Sequence, residues 1–310
     1  MGTTSTVVAT GTAHGTTATP VCMRFSPAVD QTAVLRDSTL NEVSGLAASR
    51  VHPPLLWVHN DSGGQPDVYA IRPGGTLVAT YAIAGATNVD WEDIAIGPGP
   101  ARNTSYLYVG DIGDNLSARD HLTVYRVPEP TGALTTSGTL TGAATISLRY
   151  PDHPVDAESL LVDPRRGDLF VIDKEYTSRV GRVFRAPKRS LTDGADVTMQ
   201  EVASFTLTPD DAGPVTGIAK GPGTIVTGAD VSPDGSTVLV RTYRRVLAFS
   251  RRPGTSLSAA FDRAPCGAPQ IDELQGEAVG FAANGASYFT ISEGAGASVH
   301  RFRVRPPLAR

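Results

Sequence analysis

Apolar residues along the chain recur at alternate positions in short runs, and Gly, Pro, Asp or Asn breaks each run. Five such runs align with one another: Ser44-Gly-Leu-Ala-Ala-Ser, Glu92-Asp-Ile-Ala-Ile-Gly, Glu158-Ser-Leu-Leu-Val-Asp-Pro, Thr227-Gly-Ala-Asp-Val-Ser-Pro and Glu277-Ala-Val-Gly-Phe-Ala. Turns such as Pro164-Arg-Arg-Gly, Pro233-Asp-Gly and Asn284-Gly follow them. Next comes a second run: Leu56–His59, Tyr106–Val109, Asp168–Ile172, Thr237–Val240 and Ser287–Ile291. A third run covers Asp67–Ile71, Leu122–Val127, Arg182–Ala186, Arg245–Phe249 and Ser298–Val304. Fourth runs are fainter, at Leu77–Tyr81, Thr145–Arg149 and Val202–Leu207. A period of two with Gly, Asp and Asn turns is the antiparallel signature. No segment keeps a 3.6-residue period without a Pro or Gly interruption, so no sizeable helix is expected.

Four strands per repeat, with anchors roughly 50–70 residues apart, match the blades of a propeller better than a sandwich. The expectation is an all-β chain: one β-propeller over residues 20–310, preceded by a flexible Thr/Ala/Gly-rich segment at 1–19. Five blades fit the five anchors, and six stay open because the stretch 159–226 is long enough to hold another. The last repeat lacks a fourth strand. The stretch from Val21-Cys-Met-Arg-Phe to Thr32-Ala-Val-Leu can supply it, which closes the ring and removes a free edge.

Bulk properties narrow the function classes. The 310 residues are 40% hydrophobic and 19% charged, enough for a core. The net charge of −4 argues against a nucleic-acid partner. The one basic cluster, Arg241, Arg244, Arg245, Arg251 and Arg252, reads as solvated strand edges rather than an anion patch. No run of apolar residues is long enough to span a membrane, and a monomer is expected. Residues 1–19 show neither a basic n-region nor an apolar h-region. The two cysteines, Cys22 and Cys266, have no C-x-x-C spacing. A disulfide tying the N-terminal segment to the last blade is preferred over two separate thiols. There is no G-x-S-x-G elbow, Walker A loop, dinucleotide fingerprint or H-E-x-x-H.

The run NEVSGLAASRVHPPLLWVHNDSG (41–63), with VDWEDIA (89–95), YVGDIGDN (108–115), VDAESLLVDP (155–164) and GEAVGF (276–281), resembles the secreted actinobacterial WD40-like propellers. That resemblance covers about residues 20–305. It implies the propeller fold and an extracellular or cell-envelope location, and it brings no agreed activity. The chain departs from it at Thr227, where other repeats place Glu. A more distant likeness is to the calcium-dependent apyrases, five-bladed propellers with acids near the axis.

In a propeller the first strand of each blade lines the central channel. The aligned position holds Ser44, Glu92, Glu158, Thr227 and Glu277. Glu42, Asp90 and Asp156 stand two residues earlier and so on the same strand face, and Asp230 lies in the repeat that lacks Glu. Such acids cannot all stay ionised side by side. Calcium is the natural counter-ion for an oxygen-only set, and Glu42, Glu92, Glu158, Asp230 and Glu277 are its candidate ligands. Strand capping by backbone N–H groups and proton sharing between carboxyls stay open. A second acidic set follows the second strands: His59-Asn60-Asp61, Asp111-Ile-Gly-Asp114-Asn115, Asp173-Lys-Glu175 and Glu293. His59 is a candidate general base, oriented by Asp61 or Asp114, and Asp111 and Asp114 could converge on one ligand; structural turns explain the same residues. Trp57 and Trp91 read as packing. Two functions therefore remain. One is an exported propeller with axial Ca²⁺ that binds a polar small molecule, glycan or protein. The other is a Ca²⁺-dependent hydrolase of phosphoester, phosphoanhydride or glycosidic bonds.

Overall fold

A computed structural model describes residues 24–207 and 223–305. Strands are numbered along the chain. Blade I is β2 (Val43–Ala48), β3 (Leu56–Asn60), β4 (Asp67–Ile71) and β5 (Leu77–Ile83). Blade II is β6 (Trp91–Pro98), β7 (Ser105–Asp111), β8 (Leu122–Pro128) and β10 (Ala144–Arg149). Blade III is β11 (Ala157–Val162), β12 (Leu169–Asp173), β13 (Val180–Ala186) and β15 (Gln200–Thr206). Blade IV is β16 (Val226–Val231), β17 (Thr237–Thr242), β18 (Val246–Ser250) and β19 (Cys266–Ala268). Blade V is β20 (Gly276–Phe281), β21 (Ser287–Ser292), β22 (Ser298–Val304) and, from the other end of the chain, β1 (Phe25–Val34).

These sheets make a five-bladed propeller. No sixth blade lies among the described residues of 159–226, which belong to blade III and the start of blade IV. Ring closure follows the expected route: β1 pairs antiparallel with β22, from Phe25 opposite Val304 to Val34 opposite Ser298. Cys266 opens β19, the outer strand of blade IV, so it sits one blade earlier than expected. Its proposed partner Cys22 lies outside the described residues. Two short strands escape the periodicity altogether. β9 (Ser137–Leu140) runs parallel to β5 and β14 (Asp196–Thr198) runs parallel to β10, so each strap hydrogen-bonds one blade to the outer edge of the preceding one. Among the described residues helix is limited to short 3₁₀ turns such as Lys188–Ser190 and Ser258–Ala260.

Each sheet is covered on both faces, which is why the inner strands are buried along their whole length. Alternation divides their side chains between two neighbours. Leu46 faces the core shared with blade V, while Ala47 faces the one shared with blade II, where Trp57 and Trp91 also lie. One apolar core fills each of the five blade junctions.

The alternation breaks once in each inner strand, at the same place. Val43 and Gly45 oppose the consecutive residues Asn60 and His59, which leaves Ser44 as an extra residue. The same slip isolates Glu92, Glu158, Thr227 and Glu277. A β-bulge adds twist and re-aims the side chain that carries it, so five bulges turn the five aligned residues toward the axis together.

Close approach beside a bulge constrains Gly228. A Cβ there would stand 2.6 Å from the Glu277 carbonyl oxygen of the next blade. Gly228→Ala is expected to destabilise the protein by about 1–3 kcal/mol through overpacking against backbone. Gly267→Ala, where a Cβ would meet nothing within 4 Å, is the near-neutral control in the same urea titration.

Candidate axial binding site

Two rings of residues form the site. The lower is the bulge ring. The upper is the first residue after the second strand in four blades: Asp61, Lys174, Tyr243 and Glu293. Backbone bonds hold the rings in register, since Asp61, Lys174 and Glu293 donate their N–H to the carbonyls of Glu42, Asp156 and Gln275. In blade II the same place is taken by Ile112-Gly113, with Gly113 donating to Asp90, and Asn115 reaches in from further along. Together they enclose an axial pocket of 120 Å³. That is well below the roughly 300–1,000 Å³ of pockets that enclose small organic ligands.

The two hydroxyls of the bulge ring give their protons to neighbouring blades. Ser44 Oγ donates to the Glu92 carbonyl at 2.6 Å, and Thr227 Oγ1 donates to the Gly276 carbonyl at 2.8 Å. Each clips its blade to the next. The three glutamates have no such partner in the backbone. Glu158 is bonded by the Lys174 ammonium, which lies 5.7 Å from the Tyr176 ring centre and 5.9 Å from that of Tyr243. Burial opposes the charge of Lys174, but Glu158, Tyr243 and Glu92 outweigh it and hold the lysine protonated, above its ordinary range. Glu277 accepts the Gln275 side-chain amide on one oxygen at 3.1 Å, while its other oxygen is buried with no hydrogen-bond partner. Glu277 is itself only 5% exposed.

Asp61, Asp90 and Glu92 converge, each offering a carboxylate oxygen within 4.8 Å of the others. Burial, then the charge of Glu158, drives the Glu92 carboxyl well above the usual range. Burial moves Glu158 to about 8 against the pull of Lys174. Burial and the charges of Asp90 and Glu293 bring Asp61 to about 7. Asp90 and Glu277 are raised as well, by burial first and by a neighbouring acid second. One ammonium does not balance this set. The donors are all hard oxygens, the type that binds Ca²⁺ or Mg²⁺ rather than zinc or copper.

The sign of the pH dependence follows. A carboxyl whose folded pKa is raised binds more protons folded than unfolded, so its effect on stability is absent below the unfolded value near 4 and grows unfavourable as pH rises through the folded value. In the presence of a chelator, stability is expected to fall between pH 5 and pH 8, across the windows of Asp61 and Glu158. Chemical denaturation at fixed pH values reads this directly; a flat or rising profile contradicts it.

Several candidates lie elsewhere. Glu42 is exposed and does not line the pocket, unlike Asp90 at the same place in blade II, which meets Asp61 and Glu92. Asp156 is bonded by the Asp114 N–H at 2.7 Å and the Tyr176 hydroxyl at 3.0 Å. Asp230 is a strand clip: its oxygens accept the Val231 N–H at 2.7 Å and the Phe281 N–H of blade V at 2.6 Å. Asp93 does the same with the N–H groups of Ile94 and of Leu160 in blade III. Capping by backbone thus explains some of the axial acids, at a level below the pocket.

His59 is fully buried, with Nδ1 2.9 Å from the Asn60 carbonyl and its ring edge-on to Trp91 at 5.7 Å. Burial lowers its pKa to about 4. Among the described residues no carboxylate bonds its ring, so neither Asp61 nor Asp114 orients it. Asp111 accepts the Val89 and Asp90 N–H groups and pairs with Arg119 at 2.9 Å. Asp114 accepts the N–H groups of Ala118 and Arg119. Both acids order their own loops and do not converge on a ligand. Asp173 pairs with Arg182. Within the basic cluster, Arg241 and Arg251 are buried against Glu273 and Asp163.

The sequence reading missed Lys174 as the counter-charge and Tyr243, Gln275 and Asn115 as walls. A signal existed: aligning the second strands places Asp61, Lys174, Tyr243 and Glu293 at one position.

No protein-family model matches the chain, and no curated protein matches it. A chain of the solved structure titled "Crystal Structure of Mitotic Checkpoint Complex" aligns with a TM-score of 0.42 and 12% identity, over 97% of this chain and 99% of that one. A likeness at that level adds no argument to a fold read directly from strand order. No family model or curated protein supports the likeness to the secreted actinobacterial propellers or to the apyrases.

Proposed function

We propose that this propeller is a binding protein whose axial pocket takes one hard divalent cation, Ca²⁺ foremost, through Asp61, Asp90 and Glu92. The convergence of those three oxygens within 4.8 Å carries the reading, and the unpartnered buried oxygen of Glu277 supports it. Calcium takes about six to eight oxygens and tolerates irregular geometry, and the small wet pocket leaves room for waters to complete the set. Exposed apolar side chains are seated on loops at this same end: Val89, Leu116, Tyr176 and Leu274. Such a rim favours a protein partner over a small polar molecule or glycan. Export from the cell belongs to the same proposal and rests on the resemblance of the repeat motifs to secreted propellers.

The test is thermal melting after stripping with EDTA, with Ca²⁺, Mg²⁺ or Mn²⁺ then restored. A cation at about 100 times its Kd should stabilise by about 2.7 kcal/mol. Gly113→Ala is the sharpest variant, because its Cβ would come within 2.4 Å of both Asp90 Oδ2 and Glu92 Oε1. It should weaken the Ca²⁺ response at least tenfold while leaving the metal-free midpoint nearly unchanged. No midpoint shift with any metal removes the site.

One observation favours a hydrolytic reading of the same pocket. Burial pushes the Glu158 carboxyl up to about 8 and that of Glu92 well above its ordinary range, the direction that suits a general acid. With His59 buried, a carboxylate would have to serve as base. This reading expects turnover of nitrophenyl phosphates or glycosides that Glu92→Gln abolishes in a folded protein; the binding reading expects none from the unmodified chain.

A further inference from the structure

The inner strands run from the acidic mouth to the opposite face of the disc, and six residues of strand carry the chain about 20 Å. At that far end the chemistry reverses. The turns between first and second strands of blades I to IV, together with Lys188 just after β13, line a second cavity of 600 Å³. Arg50, Arg102 and Lys188 face it, and no Asp or Glu lines it.

The acids nearby are already engaged. Glu129 accepts from Ser49 Oγ, the Arg50 backbone and Trp57 Nε1, Asp163 is held by Arg251, and Asp168 by Arg185. Arg50 is anchored through one Nη1 bond of 3.1 Å to the Ala283 carbonyl, which leaves its other donors available. Lys188 is held in place at its backbone, whose N–H donates to Asp168 at 2.8 Å. Ser105 closes the same turn, its hydroxyl buried beneath the cavity wall. Asn103 beside it adopts φ 56, a left-handed conformation that shapes the turn.

We propose that this cavity binds a phosphate or phosphomonoester dianion, with Arg50 and Arg102 donating to its oxygens and Lys188 supplying charge. The site is independent of the axial acids and of any metal there.

The test is isothermal titration with inorganic phosphate at fixed ionic strength, with acetate in a parallel arm. Saturable phosphate binding is expected, weakened at least tenfold in the exposed double variant Arg102→Gln/Lys188→Gln and falling as salt rises. Asp61→Asn, at the other end of the axis, should leave it unchanged. Three results would each overturn the assignment: no saturable phosphate signal, equal binding in the double variant, or acetate binding as tightly as phosphate. If Arg102→Gln/Lys188→Gln were poorly folded, the exposed Arg102→Gln alone serves instead, with a weaker phosphate Kd as its expected result and an unchanged one against the proposal.

Discussion

Lys174→Met is expected to destabilise the protein by about 3–5 kcal/mol at pH 8, because it strands Glu158 among other buried carboxyls with no cation beside it. Lys174 is itself only 8% exposed, so water does not replace it. The loss should shrink at pH 5, well below the value of about 8 to which burial pushes Glu158, and Ca²⁺ should stabilise the variant more than the parent protein. Adding Glu158→Gln to Lys174→Met should recover much of the stability, since the pair acts as a unit. Urea titrations at the two pH values check all of this. Equal losses at pH 5 and pH 8 would show that Lys174 matters for packing and not for charge.

Arg251→Met is expected to cost a similar amount, about 3–5 kcal/mol, at a place far from the pocket. Arg251 of blade IV reaches Asp163 of blade III with two parallel bonds of 2.9 and 3.0 Å, and both side chains are 1% exposed. Removing the guanidinium leaves a buried carboxylate with only the Arg165 N–H on its oxygens. The double variant Asp163→Asn/Arg251→Met should regain part of the loss. A change below about 1 kcal/mol in the single variant would place this junction's strength in its apolar core instead.

How much of this was legible differs from residue to residue. The alternation in runs such as Glu92–Gly97 and Leu122–Val127 located nearly every strand of three or more turns of the pleat, because burial on both faces demands it. β19, β9 and β14 were missed since three or four residues of strand carry no readable period. The bulge ring was found by alignment, but its geometry was not, because a bulge is a backbone event that leaves the residue pattern intact. Asp230 and Asp111 looked like ligands for a related reason. Sequence shows a carboxylate, and only coordinates show that backbone N–H groups already occupy its oxygens. Lys174 stood inside an acidic run and drew no notice, although one buried cation decides the charge balance of the pocket.

The most direct test of the central claim is isothermal titration of Ca²⁺ into EDTA-stripped protein and into Asp61→Asn. The account predicts saturable binding near one ion per chain, weakened at least tenfold by the substitution. No saturable binding to the parent protein, or identical binding to both, would contradict it.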